Sequence, residues 1–291
     1  MEPLRKDKDD VWDRRQESRL NVGEAVRLKH LGENWLYVIS DTTAGYAAAD
    51  GFLLCTKAEY ESRRSLFKKE HRVVLKGGRS EQGKYFRIGT ILPPETEMFE
   101  EELYGKECRH RREKLQETGR EQPETPVIIH GRLPFSERQL LLQMERMLGI
   151  PYSWGDERAD GMDCSSTVRA FYACFGLALP RNSSEQKSFG ETLAAEGKAV
   201  FYQIERMEAE QKEEVLSALG VGAILHMPGH VMLYAGKENG EYRIFHNCDT
   251  YTEQDGTEHI VRQCVISGFL PKMDGTYFDY LTAAWVPLFD R

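Results

Sequence analysis

Several things are scarce in this chain, and each absence excludes a class of protein. No apolar run approaches the roughly 20 residues that a membrane helix needs. Positive charge is in the minority: 39 Lys and Arg stand against 47 Asp and Glu, a net charge of -8. Such a balance disfavours nucleic acid and anionic membranes as partners. None of the six cysteines (55, 108, 164, 174, 248 and 264) forms a C-x-x-C pair, and no Cys/His set has zinc spacing. A structural metal is therefore not expected, and a chain of this size does not depend on disulfides. Residues 1–15 are densely charged and carry no apolar core of a secretion signal. As it stands the chain reads as cytoplasmic, or as exported to the cell envelope if a leader has been removed. Its 291 residues, 40% hydrophobic and 30% charged, allow two or three domains with a sizeable core.

Two halves differ in pattern. The first reads as short strands broken by Gly and Asp, over 25–28, 35–39, 44–48, 72–75, 84–92 and 127–129. The mixed-charge stretch at about 101–124 reads as a solvated helix or surface insertion. The second half opens on a capping box at Ser136 to Gln139, followed by Leu140, Met144, Met147 and Leu148 at helical spacing. A further helix begins near Asp163, with Val168, Phe171, Tyr172 and Phe175 as its apolar stripe. A polar helix at about 205–219 is followed by strands over 223–227, 230–235, 242–247, 259–266 and 283–288. Helices early and strands late indicate α+β with an antiparallel sheet.

Cys164 follows Asp163 where a helix begins, and the free amides and dipole there favour a thiolate. A low thiol pKa is therefore expected, with fast alkylation near pH 6. As a buried small hydrophobe, Cys164 would instead resemble Cys174 on the same helix. A cysteine nucleophile needs a base. His230 follows the turn Met227-Pro228-Gly229 and opens a strand. His226 has equal standing, and either could be an ordinary strand-edge histidine. His246 lies on the next strand. A three-residue loop Glu238-Asn239-Gly240 would pair Lys237 with Glu241 and Met232 with His246, which puts His246 on the face of His230. The plain alternative is that His246 only packs beside Phe245.

The strings Tyr152-x-Trp154-Gly155, Gly161-x-Asp163-Cys164-Ser165, Leu179-Pro180-Arg181-Asn182-Ser183, Pro228-Gly229-His230-Val231-Met232-Leu233-Tyr234 and Phe245-His246 resemble the NlpC-type cell-wall cysteine peptidases, in that family's order. The resemblance covers 134–291. It implies a papain-like α+β domain whose Cys-bearing helix packs on an antiparallel sheet. The first half resembles the paired bacterial SH3 domains of the γ-D-glutamyl-L-diamino acid endopeptidase branch, through Gly23-Glu24-Ala25-Val26 and Gly45-Tyr46. This implies two small all-β SH3-like barrels at 1–67 and 68–133.

The resemblance further implies Cys164 as nucleophile, His230 as general base and His246 as third member, with no metal or organic cofactor. Tyr152 matches a tyrosine near the oxyanion or substrate. Trp154, Asp163, Ser165 and Ser183 match substrate-pocket positions, the aspartate helping to hold a free peptide amine. Asp163 could equally cap its helix, Ser183 with Gln186 could form a capping box, and Tyr152 and Trp154 could be core aromatics. The expected substrate is a peptidoglycan stem peptide or muropeptide, cut between γ-D-Glu and the diamino acid (Lys or diaminopimelate), with a preference for free N-terminal L-Ala. The rivals are a non-catalytic wall-binding protein with a dead peptidase fold, and an amidase or acyltransferase on the same fold. Two positions depart from the family pattern: Ser166 and Asp156 stand where glycine is usual. Ser166 is expected to narrow the cleft, and Asp156 to change a loop without touching the chemistry.

Overall fold

The computed structural model describes residues 16–65, 71–80, 84–92, 126–156, 158, 160–272 and 274–289. The charged stretch at 101–124, Cys108 and residues 1–15 lie outside these.

The first region is a three-stranded antiparallel sheet of β1 (Arg27–Leu31), β2 (Trp35–Ile39) and β3 (Ala44–Ala48), followed by helix α1 (Lys57–Ser65). Only Leu36 and Val38 of this sheet are buried. Thr56 and Glu59 cap α1 reciprocally, with Thr56 N and Oγ1 donating to Glu59 Oε2 and Glu59 N donating to Thr56 Oγ1. The strand reading of this half overlooked that helix.

The second region contains β4 (Arg72–Lys76), the β5–β6 ribbon (Gly78–Arg79 and Tyr85–Phe86), β7 (Ile91–Leu92) and β8 (Val127–His130). Its sheet order is β7-β4-β8. Among the described residues no closed barrel is seen in either region, so the two SH3-like barrels expected at 1–67 and 68–133 are not shown. Val73, Leu75, Ile88 and Ile129 join one apolar cluster with Phe171, Tyr172 and Phe175, so one face of β4 and β8 packs on the third region, while Val74 and Ile128 pack with Phe86 and Leu92 in a smaller cluster.

That third region holds α2 (Glu137–Met147), α3 (Cys164–Ala173), α4 (Ser183–Ala195), α5 (Ala209–Leu219) and a six-stranded antiparallel sheet. The sheet strands are β9 (Ala199–Gln203), β10 (Ile224–Met227), β11 (His230–Glu238), β12 (Glu241–Thr252), β13 (Glu258–Ser267) and β16 (Ala283–Pro287), in the order β13-β12-β11-β10-β16-β9. A small ribbon, β14 (Pro271–Lys272) with β15 (Gly275–Thr276), precedes the last strand. Helix α4 and strand β9 were not expected from the sequence. Asn182 and Glu185 cap α4 reciprocally, one residue before the Ser183/Gln186 box.

Both faces of the sheet are covered. Ile224, Val231, Leu233 and Phe245 face α3, while Leu225, Met232, Tyr234 and Ile244 face α5 and Tyr277. This alternation is the two-residue period of a strand buried on both sides.

The β11–β12 register corrects one sequence expectation in an instructive way. The loop is the two-residue Asn239-Gly240, both at positive φ (53° and 84°), the conformation of a type I′ turn. Glu238 therefore pairs with Glu241 and Lys237 with Tyr242. A bulge between Tyr234 and Gly236 then shifts the register by one, and Leu233 meets Phe245. The inner part of the hairpin thus has the register that a three-residue loop would have produced.

Candidate active site

Helix α3 is capped by Asp163, whose Oδ1 accepts from Ser166 N at 2.9 Å. Cys164 is its first residue and is partly exposed, while the helix from Ser165 to Ala173 is buried. On the sheet, Pro228 and Gly229 form the β10–β11 turn. Proline presets the first position, and Gly229 takes φ 77° at the second. Met227 then pairs with His230.

The two candidate histidines lie together, their ring centroids 5.1 Å apart and His230 Nε2 2.9 Å from His246 Nδ1. Their network orders the tautomers. Ser267 Oγ donates to Gly268 O at 2.8 Å, so it accepts from His246 Nε2 at 3.1 Å. His246 Nδ1 is then unprotonated and accepts the Nε2 proton of His230. The basic lone pair of His230 is consequently on Nδ1. Ser267 was missed in the sequence, where a serine at the end of β13 carries no local signal.

Tyr277 stands over both rings, at 5.7 and 6.0 Å. The histidines thus share the sheet face of Met232 and Tyr234, opposite to the face that α3 covers. The backbone amides of Val231, the residue after His230, and of Ser165 stabilise the Cys164 thiolate. No hydrogen bond joins the Cys164 sulfur to His230 in the resting protein.

Burial overrides the helix-end effect. It pushes the Cys164 thiol up to about 12, with the Asp163 charge adding to the rise, and only then do the Val231 and Ser165 amides and Arg181 pull back. Burial, with a lesser effect of Lys272, lowers His230 to about 4, and burial lowers His246 as well. The resting pair is neutral thiol and neutral imidazole, which reverses the expectation of a low-pKa Cys164. Tyr152 is buried, and its hydroxyl is raised by burial and by the nearby Cys164 and Asp163. Trp154 is exposed at the rim, just before Gly155.

His226 belongs elsewhere. It is buried, faces Val231 across β10 and β11, and accepts from Trp285 Nε1 at 3.0 Å. Strand parity puts it on the face opposite to His230, and burial lowers it to about 3. Gly190 of α4 leaves the space in which the Trp285 ring lies.

Two expected pocket residues are committed inside the fold. Asp163 accepts from Ser166 N, from Ser165 Oγ at 3.0 Å, from Gly155 N at 3.2 Å and from both Nη atoms of Arg181. Ser165 Oγ also accepts from Arg181 Nη1 at 2.8 Å. With these five donors the acceptor sites of the Asp163 carboxylate are engaged inside the fold. Arg181, absent from the expected site residues, organises this segment. Gln186 supports it by donating to Ser165 O and Pro180 O, both at 2.9 Å. Ser183 is half-buried at the start of α4.

The two departures from the family pattern fit one another. Ser166 donates its hydroxyl to Asp156, which sits at φ 61° where glycine is usual. Asp156 also accepts from Arg87 Nη1 at 3.2 Å, and its carbonyl accepts from Arg19 Nε at 2.9 Å. Arg87, with Arg181 in support, holds the Asp156 carboxyl below its ordinary range against burial. Ser166 therefore points away from the cleft and does not narrow it. Arg19, Gln16 (to Gly155 O, 3.3 Å) and Thr42 (its O accepting from Arg181 N, 3.1 Å) bring the first region against this edge.

Residues 149–254 match the NlpC/P60 family model, so the chain carries an NlpC/P60 domain with a papain-like arrangement of helices and antiparallel sheet. Members of this family are cysteine peptidases. Among solved structures, the chain is similar to an NlpC/P60 endopeptidase from Photobacterium damselae subsp. piscicida (TM-score 0.63, 14% identity, 90% of this chain and 63% of that one). It is also similar to an NlpC/P60 family protein from Bacillus cereus (TM-score 0.51, 14% identity, 89% and 78%). The chain thus spans less than two thirds of the length of the Photobacterium protein. No curated protein matches the sequence. Among the described residues no helix is long and apolar enough to cross a membrane, and no cluster of His, Cys, Asp and Glu could hold a metal ion.

Proposed function

We propose that the chain is a cysteine endopeptidase that hydrolyses peptidoglycan stem peptides between γ-D-Glu and the diamino acid, Lys or diaminopimelate. The observation that carries the reading is the ordered chain Ser267–His246–His230, which leaves a basic nitrogen on His230 beside the strand that receives Cys164. Because thiol and imidazole rest neutral, proton transfer to His230 Nδ1 accompanies attack on the carbonyl instead of preceding it. The Cys164 amide, free at the helix start, and the Tyr152 hydroxyl stabilise the oxyanion. The imidazolium then protonates the leaving amine, and water releases the acyl-enzyme.

Preference for free L-Ala-γ-D-Glu rests on the wall that the first region builds at Gly155 and Arg181, since Asp163 is occupied. A longer acyl-side chain meets that wall. The test is mass spectrometry after incubation with L-Ala-γ-D-Glu-diaminopimelate, its N-acetyl form and intact sacculi. Cleavage at the γ-D-Glu bond of the free peptide alone is expected. Products from a different bond would overturn the bond assignment, and equal rates on sacculi would overturn the free-amine preference.

A further inference from the structure

On the side of α3 turned away from the histidines lies a cavity of about 430 Å³ between the first region and the third. Ser166, Arg169, Ala170 and Ala173, one helical stripe, form its floor, and residues 21–25 and 61–65 close it from the other side. Neither Cys164 nor His230 lines it. Much of the wall is apolar, including Val22, Ile88 and Met162.

Arg169 is 8% exposed, and its Nη1 has no hydrogen-bond partner. Among the described residues no carboxylate forms an ion pair with it. Three buried guanidiniums (Arg87, Arg169, Arg181) face two buried carboxylates (Asp156, Asp163), and both carboxylates are engaged by Arg87 or Arg181. At the mouth, Asp41 is paired with Arg64 at 2.7 Å, and Glu24 accepts from Asn21 N at 2.9 Å. Burial weakens the hold of Arg169 on its proton; Glu24 and Asp156 act against this more strongly than Arg181 and Arg87 add to it, but neither carboxylate is in ion-pair contact with the guanidinium. A buried guanidinium with open donors at the floor of a cavity lacks a counter-anion.

We propose that this cavity binds a small organic carboxylate, its carboxyl group on Arg169 and its apolar body against Val22, Ile88 and Met162. An inorganic oxyanion satisfies the guanidinium but leaves the apolar wall uncovered. A ligand seated there touches the first region on one side and the helix that carries Cys164 on the other. The inference does not depend on the peptidase reading.

The test uses thermal unfolding of the full chain with hexanoate, hexanamide, inorganic phosphate and sodium chloride at matched ionic strength. Hexanoate should raise the midpoint saturably, by about 2–4 °C, while the other three leave it unchanged. Arg169→Met should abolish the response and, without ligand, unfold no earlier than wild type. Ala173→Leu fills the cavity without altering charge, and should abolish the response even if Arg169→Met fails to fold. An undiminished hexanoate shift in either variant, or no shift in wild type, would overturn the site. A larger shift with phosphate than with hexanoate would overturn the carboxylate assignment.

Discussion

The two sides of helix α3 solve opposite electrostatic problems. On the side of its first residue, burial favours the neutral forms of Cys164, His230 and His246, of which only His246 is fully enclosed. On the other, Asp156, Asp163, Arg87 and Arg181 are buried in ion pairs, each carboxylate with a guanidinium within reach. Burial is common to both. What differs is the partner: the thiol and the two imidazoles have no counter-charge in ion-pair contact, whereas each buried carboxylate of the other side has a guanidinium. The neutral side is poised for a transient charge to develop during reaction, and the charged side fixes the helix that carries the nucleophile.

The sharpest break in this comparison separates activity from stability. Cys164→Ala and His230→Ala should each lower kcat/KM by about 10⁴-fold or more, with the thermal midpoint nearly unchanged, because nucleophile and base act as a unit. A large loss of stability in Cys164→Ala would show that the reacting side also holds the fold. On the charged side Arg181→Met should do the reverse. It strips Asp163 of its cation, and a denaturant melt should record a loss of about 3–5 kcal/mol. A stable variant would mean that the cluster contributes little.

Acid separates the sides again. His226, His230 and His246 lie below the ordinary 6.5 in the fold, the first two at about 3 and about 4. Below 6.5 the unfolded chain therefore binds more protons than the folded one. Their stabilising effect is complete above that pH and is lost as pH falls toward 4. The charged side follows later. Asp156, depressed in the fold, stabilises above the ordinary carboxylate value of 3.8 and loses this only below it. Denaturant midpoints should thus decline between pH 6.5 and 4, and a flat profile to pH 4.5 would contradict the neutral imidazoles. In the same way, alkylation of Cys164 by iodoacetamide should show no fast component near pH 6.

Smaller effects test finer parts. Asp156→Gly and Ser166→Gly should each destabilise, and their double-mutant cycle should give a coupling of about 0.5–3 kcal/mol. Strict additivity would mean that the hydroxyl–carboxylate contact carries no energy. Ser267→Ala should reduce kcat about tenfold, the scale seen when an orienting outer partner is lost. It should leave KM unchanged, because only the tautomer order of His246 depends on it.

Local pattern carried much of this protein. The period of Val168, Phe171, Tyr172 and Phe175 marks the buried face of α3, and strand alternation puts His230 and His246 on one side. The helical reading succeeds because side-chain direction repeats every 3.6 residues, whereas the histidine parity came out right only because the bulge between Tyr234 and Gly236 offsets a loop one residue shorter than expected. The short helix α1 and strand β9 escaped notice because neither has a long enough period. The charge states of the site were not legible at all. A helix start predicts a low thiol pKa, and only the packed structure shows that burial outweighs it.

The sequence by itself determined the order of the chemistry-bearing strings and the place of Cys164 at a helix start. Tertiary structure decided the rest. Asp163 is paired with Arg181, Asp156 is matched by Ser166 and by Arg87 69 residues away, and one face of β4 and β8 finds its core against α2 and α3. The physical reason is range. Periodicity and capping act within a few residues, while pairing and desolvation depend on neighbours that only the folded chain brings together.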